Sequence, residues 1–123
     1  MAGGLKSDVL TRLRQEGGAP MVAALAALLA RTVPARLAQI AHGVAHADRA
    51  AVVRAAHSLR SSAANLGAQE LADAAEHIEL LAEYDTEWQQ TAALQAAAQA
   101  VNQAWSDVAD SVRRLAATHV DPR

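Results

Sequence analysis

The chain has 123 residues, of which 52% are apolar, and phenylalanine is absent, so the apolar content is mostly alanine, leucine and valine. A formal net charge of −2 gives no electrostatic case for binding nucleic acid or an anionic membrane surface. The absence of cysteine excludes disulfides, thiolate metal sites and cysteine nucleophiles.

Composition and length together indicate one helical domain. Alanine and leucine favour helix, whereas the aromatic residues that favour strands are sparse. A chain of this length most simply forms one domain with its own core. We therefore predict an all-α fold: an antiparallel four-helix bundle with an additional short N-terminal helix, in one domain over residues 1–123. Its motif-bearing core is expected at 20–118, with loose ends at 1–4 and 119–123.

A pair of glycines separates the first two predicted helices. The first runs over residues 5–15 and stops at Gly17-Gly18, and the second opens near Pro20, which a first helical turn tolerates. Pro34 predicts a kink or a fresh start, because proline removes a backbone hydrogen bond. The apolar run 19–30 is shorter than the roughly 20 residues of a membrane span, so we predict a buried helix of a soluble protein.

Three further helices follow in the predicted order. Asp48 is a predicted N-cap for the next helix, which continues to Leu66 and ends at Gly67. Thr86 with Gln89 resembles a capping box for the last helix. Apolar residues recur at intervals of three and four along each helix. These stripes are Val52, Ala55, Ala56, Leu59, Ala63 and Leu66; then Leu71, Ala75, Ile78 and Ala82; then Leu94, Ala98, Val101, Trp105, Val108, Val112 and Leu115.

His57 lies away from the buried stripe of its own helix. Each residue advances about 100° around a helix axis, so His57 stands roughly 150° from the centre of the stripe and faces outward. Arg54 and Arg60 flank it, and the small residues Ser61 and Ala64 continue its line. A neutral imidazole is a nucleophile, and two guanidinium groups attract an anion to it. Because the sequence adds no general base, metal or pocket here, a partner is expected to bring the rest of the active site.

The stretch AHSLRSSAANLGA, residues 56–68, resembles the signature of histidine phosphotransfer (Hpt) domains, a histidine followed by x-Leu-Lys-Gly-Ser-Ser/Ala-x-x-Leu-Gly. The likeness extends over most of residues 20–83. His57 falls on the phosphoacceptor histidine. Arg60 falls on the basic residue that helps to hold the phosphoryl group, and arginine in place of the usual lysine adds a fork suited to phosphate oxygens. The structural positions of the motif fall on Leu59, Ser62, Leu66 and Gly67.

The resemblance implies a phosphoryl carrier in a two-component phosphorelay. His57 would accept phosphate from a receiver-domain aspartate and pass it to another receiver aspartate, and the chain would be no enzyme because it has no independent turnover. The chain would bind no cofactor, and the receiver would supply Mg²⁺. Partners would be receiver domains of response regulators or hybrid histidine kinases. Neither a nucleic acid nor a membrane partner is implied, and we expect a cytoplasmic monomer.

The predicted docking surface comprises Arg54, Ser61, Ala64 and Val53. Ser61 replaces the glycine that usually stands one turn after the histidine, and that glycine is thought to keep the approach to the imidazole clear. A hydroxymethyl group narrows the approach, but serine is among the smallest alternatives. We predict that Ser61 is tolerated.

Two other functions remain open at the level of the sequence. One is the dimerisation and phosphoacceptor fragment of a sensor histidine kinase, although Ser58 stands where that family typically has an acidic residue. The other is an Hpt-like binding module that docks receivers without accepting phosphate, which Ser61 favours. His42 and His46 have the spacing of two metal ligands on one helix, but no third ligand is evident, so no metal site is predicted.

Overall fold

The computed structural model of the protein describes residues 4–84 and 92–118. Within these ranges the chain forms four helices: α1, Ser7–Ala45; α2, Arg49–Asn65; α3, Gln69–Tyr84; and α4, Ala92–Ala117. Helices adjacent in sequence pack together, and α4 packs back against α1, which closes a four-helix bundle. The links from α1 to α2 and from α2 to α3 are only residues 46–48 and 66–68, so these neighbours run antiparallel. The predicted all-α bundle is confirmed.

The prediction of a separate short N-terminal helix is wrong. Residues 7–17 form the N-terminal arm of a 39-residue α1, which is helical on both sides of Gly18. Gly18 has φ 75° and ψ −179°, a conformation open to glycine, and the helix resumes at once because Pro20 suits a first turn. The glycine pair therefore marks a kink within one helix. Pro34 also lies inside α1 at helical dihedral angles, so no fresh helix begins there.

The N-terminal arm of α1 covers the end of the bundle where α2 turns into α3. Lys6 N, just before the arm, donates a hydrogen bond to Gly67 O at 2.9 Å, and Leu10 and Leu13 of the arm join the core. Gly67 has φ +83°, and a Cβ at this position would lie 3.1 Å from Lys6 N and from Val9 Cβ. The left-handed backbone and the close approach of the arm both require glycine here.

α1 is longer and more apolar than the sequence interpretation allowed. By length and composition alone it could cross a membrane, with an 18-residue window of mean hydropathy 1.5, of which 28% is buried. A core helix of a bundle passes the same test, and α1 gives Val22, Leu29 and Val33 to the core. Leu28 on the opposite face is 46% exposed, so the run 19–30 is buried on one side only.

α2 begins and ends close to the predicted residues. The Asp48 carboxylate accepts a hydrogen bond from Ala51 N at 3.1 Å, which confirms the N-cap. The helix ends at Asn65, Leu66 is the C-cap, and Gly67 follows with positive φ. The predicted stripe is buried throughout, at Val52, Ala55, Ala56, Leu59, Ala63 and Leu66.

The apolar stripes of α3 and α4 also form the core. All four predicted positions of α3 are buried, and those of α4 are buried except Ala98 and Leu115, which are half-buried. The predicted capping box of Thr86 with Gln89 lies outside the described residues. So do the predicted loose ends, apart from Gly4, which forms a turn before α1.

Small residues allow close packing on both sides of α2. Both α2 and α3 bury alanines: Ala55, Ala56 and Ala63 in α2, and Ala72 and Ala75 in α3. On the α1 side, a Cβ at Gly43 would lie only 2.6 Å from Val52 Cγ2. Close approach of the backbones lets polar side chains at the edges of α2 reach the helices on either side.

Candidate functional site

His57 lies near the middle of α2, and 59% of its side chain is exposed. The residues before and after it in the stripe, Ala56 and Leu59, are buried in the core. The helical period therefore holds the imidazole on the outer face. To bury His57, α2 would have to rotate about its axis and expose the apolar residues that it now buries. The outward position predicted from the sequence is confirmed.

Glu79 of α3 reaches across to the imidazole. Its Oε2 lies 3.0 Å from His57 Nδ1, and the residue is only 8% exposed. A carboxylate accepts hydrogen bonds, so this contact is satisfied when Nδ1 carries the proton. In that tautomer the lone pair is on Nε2, the nitrogen on the far side of the ring. The contact with α3 thus leaves Nε2, and not Nδ1, available to a partner.

Arg60 stands beside the same two residues. Its Nη2 lies 3.0 Å from His57 Nδ1, and its Nη1 lies 3.7 Å from Glu76 Oε2. Its Nε is buried 3.2 Å from Glu79 Oε1 but is not aimed at that oxygen, so this contact is an ion pair without a hydrogen bond.

A guanidinium only donates hydrogen bonds, and a carboxylate only accepts them. His57 Nδ1 is either a donor or an acceptor, so it cannot hydrogen-bond both Arg60 and Glu79. We therefore assign Nδ1 as protonated and as the donor of a hydrogen bond to the Glu79 carboxylate. A carboxylate is an acceptor for the N–H of a neutral or a cationic imidazole, whereas the Arg60 contact would require an unprotonated Nδ1. Arg60 is therefore held near the ring by the two glutamates and keeps N–H groups free for another acceptor.

A cleft of about 380 Å³ lies on the other side of His57, between α1 and α2. Arg36 of α1 donates from Nε to Ser58 Oγ at 3.2 Å and from Nη1 to Gln39 Oε1 at 3.0 Å. Arg54 also lines the cleft and is exposed. His57 is thus flanked by an ion-paired cluster toward α3 and by a cationic cleft toward α1.

The residues predicted for docking mostly share the exposed face of α2 with His57. Arg54, Ser61 and Ala64 are exposed, at three residues before, four after and seven after the histidine. Val53 is half-buried and packs against the core, so it contributes only part of its side chain to this face.

The motif residues predicted to be structural are buried or half-buried. Leu59 and Leu66 are core residues, and Gly67 is buried at the turn into α3. Ser62 is half-buried and lines a small cleft of about 50 Å³ between α1 and α2, together with Leu25 and Leu28. Ser62 therefore lies at the boundary between α2 and α1.

The sequence interpretation missed Glu79, Glu76 and Arg36. Glu79 could have been noticed, because one turn beyond Ala75 it falls at the edge of the buried stripe of α3, where a carboxylate needs a partner. Arg36 gives no such signal, since an arginine on the edge of an amphipathic helix is usually solvated.

The histidine pair at the end of α1 is explained by local packing. The rings of His42 and His46 stack with centroids 4.0 Å apart, and His46 Nδ1 lies 2.9 Å from His42 O. Within the described residues, no group of three or more His, Cys, Asp or Glu side chains is placed to hold a metal ion.

The family model of the Hpt domain matches residues 19–117, a range that includes His57, Arg60 and Glu79. No curated protein and no solved structure matches the chain. The match covers most of the chain, and the four-helix bundle and exposed helical histidine agree with it. The chain therefore belongs to the histidine phosphotransfer (Hpt) domain family.

Membership defines the class of activity. Hpt domains take part in histidine phosphotransfer within phosphorelays, as intermediates that interact with receiver domains. The family assignment and the closed bundle within one chain favour this class over the dimerisation fragment of a sensor kinase, which would leave further helices without a role.

Proposed function

We propose that this chain carries a phosphoryl group on His57 between the aspartates of two receiver domains. The observation that supports this most directly is the exposed imidazole whose Nδ1 lies 3.0 Å from the buried carboxylate of Glu79. In this proposal the chain supplies a nucleophile and a cation on an exposed helix face, and the receiver supplies the remainder of the site, including Mg²⁺.

The transfer step forms one bond and breaks one. The Nε2 lone pair attacks phosphorus of the receiver aspartyl phosphate in line, the N–P bond forms, and the P–O bond to the carboxylate breaks with its electron pair on the aspartate. The ring becomes a phosphorylated imidazolium that keeps its proton on Nδ1. Transfer to the second receiver reverses these changes, and no proton leaves the chain.

Glu79 acts in this proposal as a positioning residue. It selects the tautomer with the nucleophilic Nε2, and its negative charge lies beside the positive charge that develops on the ring during attack. The same arrangement of a carboxylate behind a histidine orients imidazoles in other nucleophilic sites. Because Glu79 is on a different helix from His57, the rigid α2–α3 contact fixes this geometry before the receiver arrives.

Arg60 stabilises the phosphoryl group. It lies one turn after His57, and its side chain is 34% exposed, so it can donate to phosphoryl oxygens without leaving the site. Before the receiver arrives, Glu76 and Glu79 hold the Arg60 guanidinium beside His57. The incoming dianionic phosphoryl group then competes with these two carboxylates for the guanidinium.

The receiver docks on the exposed face of α2, which comprises Arg54, Ser61, Ala64 and the exposed part of Val53. Ser61 and Ala64 are small and exposed, so they leave room for another domain, and the exposed Leu28 of α1, which lines a cleft with Ser62, adds an apolar edge. We expect the protein to work as a monomer in the cytoplasm, the usual location of this family. Its receivers belong to response regulators or hybrid kinases.

Labelling by a phosphorylated receiver tests the proposal. Receiver domains carrying radioactive aspartyl phosphate are incubated with the chain and Mg²⁺, and acid-labile, base-stable phosphate on the chain is measured. We expect label on the wild type, none on His57→Gln, and full label on the matched variant His77→Gln, which removes an exposed histidine of α3. Circular dichroism establishes that both variants fold.

Label that persists on His57→Gln would contradict the assignment of the phosphoacceptor. If receivers bind the wild type but phosphorylate none of its histidines, the result would instead favour the binding module, in which Ser61 blocks the imidazole. Ser61→Gly would then be expected to restore labelling.

A further inference from the structure

The cleft between α1 and α2 lies beside the face of α2 that carries His57. Six residues line it: Arg36, Gln39, Ala51, Arg54, Ala55 and Ser58. Four of them are polar, two of these are arginines, and no acidic residue is among the six. The cleft therefore concentrates two positive charges and several hydrogen-bond donors in one concave surface.

The charge around the cleft departs from that of the whole chain. Residues 17–66, which contain most of α1 and all of α2, hold five arginines and one aspartate. Helix α3, Gln69–Tyr84, holds five acidic residues and no lysine or arginine. His57 lies on the boundary, so a partner centred on it meets positive charge on one side and negative charge on the other.

In the part of the chain that the structure describes, no carboxylate neutralises the two arginines of the cleft. Arg36 is half-buried and donates hydrogen bonds to two neutral groups, Ser58 and Gln39. Arg54 is exposed, and within the described residues neither arginine forms an ion pair with a carboxylate. This contrasts with Arg60, which contacts Glu76 and Glu79. The hydrogen bonds of Arg36 also hold its guanidinium in place, so it is positioned before any ligand arrives.

We propose that this cleft is a specificity subsite that binds carboxylate side chains on the surface of the partner receiver, outside the receiver's phosphoryl site. The inference rests on the proposed function, because that function places a receiver over His57. Arg54 is one turn before His57 and Ser58 directly follows it. A standard interface buries about 800 Å² on each partner, so a receiver centred on His57 covers the cleft as well.

Carboxylates fit the chemistry of the cleft. Arginine presents parallel N–H groups that match a carboxylate, and Gln39 adds an amide donor at the rim. Charge pairs at the edge of an interface mainly change the association rate and its dependence on salt, and they select among partners of similar shape. Receivers with acidic residues at the matching position are therefore expected to bind more tightly than receivers without them.

The first test neutralises the cleft. Dissociation constants of a panel of receiver domains are measured by calorimetry for the wild type and for Arg36→Gln/Arg54→Gln. We expect the variant to bind the preferred receiver roughly tenfold more weakly at about 0.05 M salt, and within about twofold of the wild type at about 0.5 M salt. The loss should appear mainly in the dissociation constant, because neither arginine contacts His57. Arg36→Lys/Arg54→Lys should recover most of the affinity.

A matched control separates the cleft from net charge. Arg12→Gln/Arg113→Gln makes the same change in net charge at exposed positions of the N-terminal arm and α4. We expect this control to bind receivers as the wild type does. An equal loss of affinity in the control would overturn the inference, since net charge alone would then explain the effect.

A second variant tests the cleft without removing either arginine. Gln39→Glu is nearly isosteric and places a carboxylate 3.0 Å from Arg36 Nη1, where it forms an internal ion pair and occupies the subsite. We expect it to fold at least as stably as the wild type and to weaken receiver binding roughly fivefold. Gln99→Glu, on the exposed face of α4, is the control and should have no effect.

The outcomes distinguish this inference from the proposed function. If His57 is labelled and cleft variants bind receivers with wild-type affinity and salt dependence, the inference is wrong and the carrier function stands. If cleft variants lose affinity and no receiver labels His57, the docking subsite stands and the carrier function fails. If no receiver binds the wild type, both are wrong.

Discussion

The two sides of His57 differ in how their charges are satisfied. Toward α3, Arg60 contacts two glutamates, and Glu79 in turn contacts the imidazole, so the charges are paired and held in one cluster. Toward α1, Arg36 and Arg54 line an open cleft, and among the described residues Arg36 donates to the neutral groups Ser58 and Gln39. A paired cluster fixes the geometry of a reacting group, whereas unpaired charge on an open surface attracts a partner. We assign chemistry to the first side and recognition to the second.

This division predicts that changes on the α3 side lower the rate of transfer at saturating receiver. Changes on the α1 side should lower affinity or stability and leave that rate unaltered. A variant with the opposite behaviour would show that the two sides are not separable.

The largest effect is expected at Glu79. Glu79→Ala removes the acceptor of the Nδ1 proton, and the loss of a hydrogen bond to a charged group predicts a fall of about 100-fold in the saturating transfer rate. Glu79→Gln keeps an acceptor without the charge and should lose roughly tenfold. Single-turnover transfer is the measurement, and nitrogen-15 NMR of the imidazole should report a shift away from the tautomer protonated at Nδ1.

Glu76→Gln is the control for Glu79. Glu76 is an exposed neighbour on α3 that contacts Arg60 but not His57, so its transfer rate should stay within about twofold of the wild type. Equal losses at both positions would indicate that the acidic charge of α3, and not the contact with Nδ1, supports transfer.

Gly43 tests the other side through packing. A side chain at this position would clash with Val52 Cγ2, so Gly43→Val should push α1 and α2 apart. We expect the free energy of unfolding to fall by about 2 kcal/mol. Urea denaturation measures this cost, and Ala41→Val at an exposed position of the same helix serves as the control. We expect receiver affinity to fall with the distorted cleft. A fall in the saturating rate as well would show that the cleft geometry also controls the chemistry.

Arg60 should have a smaller effect than Glu79. Arg60→Gln removes a charged donor to the phosphoryl group but leaves the tautomer of His57 fixed by Glu79, so we expect a roughly tenfold lower saturating rate. Receiver affinity should change little, in contrast to the cleft arginines. Rapid-quench kinetics over a range of receiver concentrations separates the two parameters.

The smallest effect is expected at Ser61, which belongs neither to the cluster toward α3 nor to the cleft toward α1. Ser61→Gly clears the approach to the imidazole, so transfer should be as fast as in the wild type or faster. The helix should lose about 0.5 kcal/mol because glycine is a poor helix former. A marked slowdown would mean that the hydroxyl takes part in the reaction and does not merely occupy space.

Much of the fold and part of the site follow from local sequence. The N-cap at Asp48, the stripe of α2 and the outward direction of His57 were all predicted, because each depends on residues within a few turns. The N-terminal helix was mispredicted because its outcome depends on contacts distant in sequence. Two glycines permit either a chain break or a kink, and the packing of the N-terminal arm at Gly67 decides between them.

The sequence by itself determined that this chain is all-α and that it presents a histidine with an arginine one turn later. These properties depend on the helical period of 3.6 residues and on side-chain volume. Only the tertiary structure decided that Glu79, 22 residues from His57, reaches Nδ1, and that Arg36, also 22 residues from its partner Ser58, lines the cleft. Such contacts depend on the register and distance between two packed helices. Many side chains set these together, and no single motif specifies them.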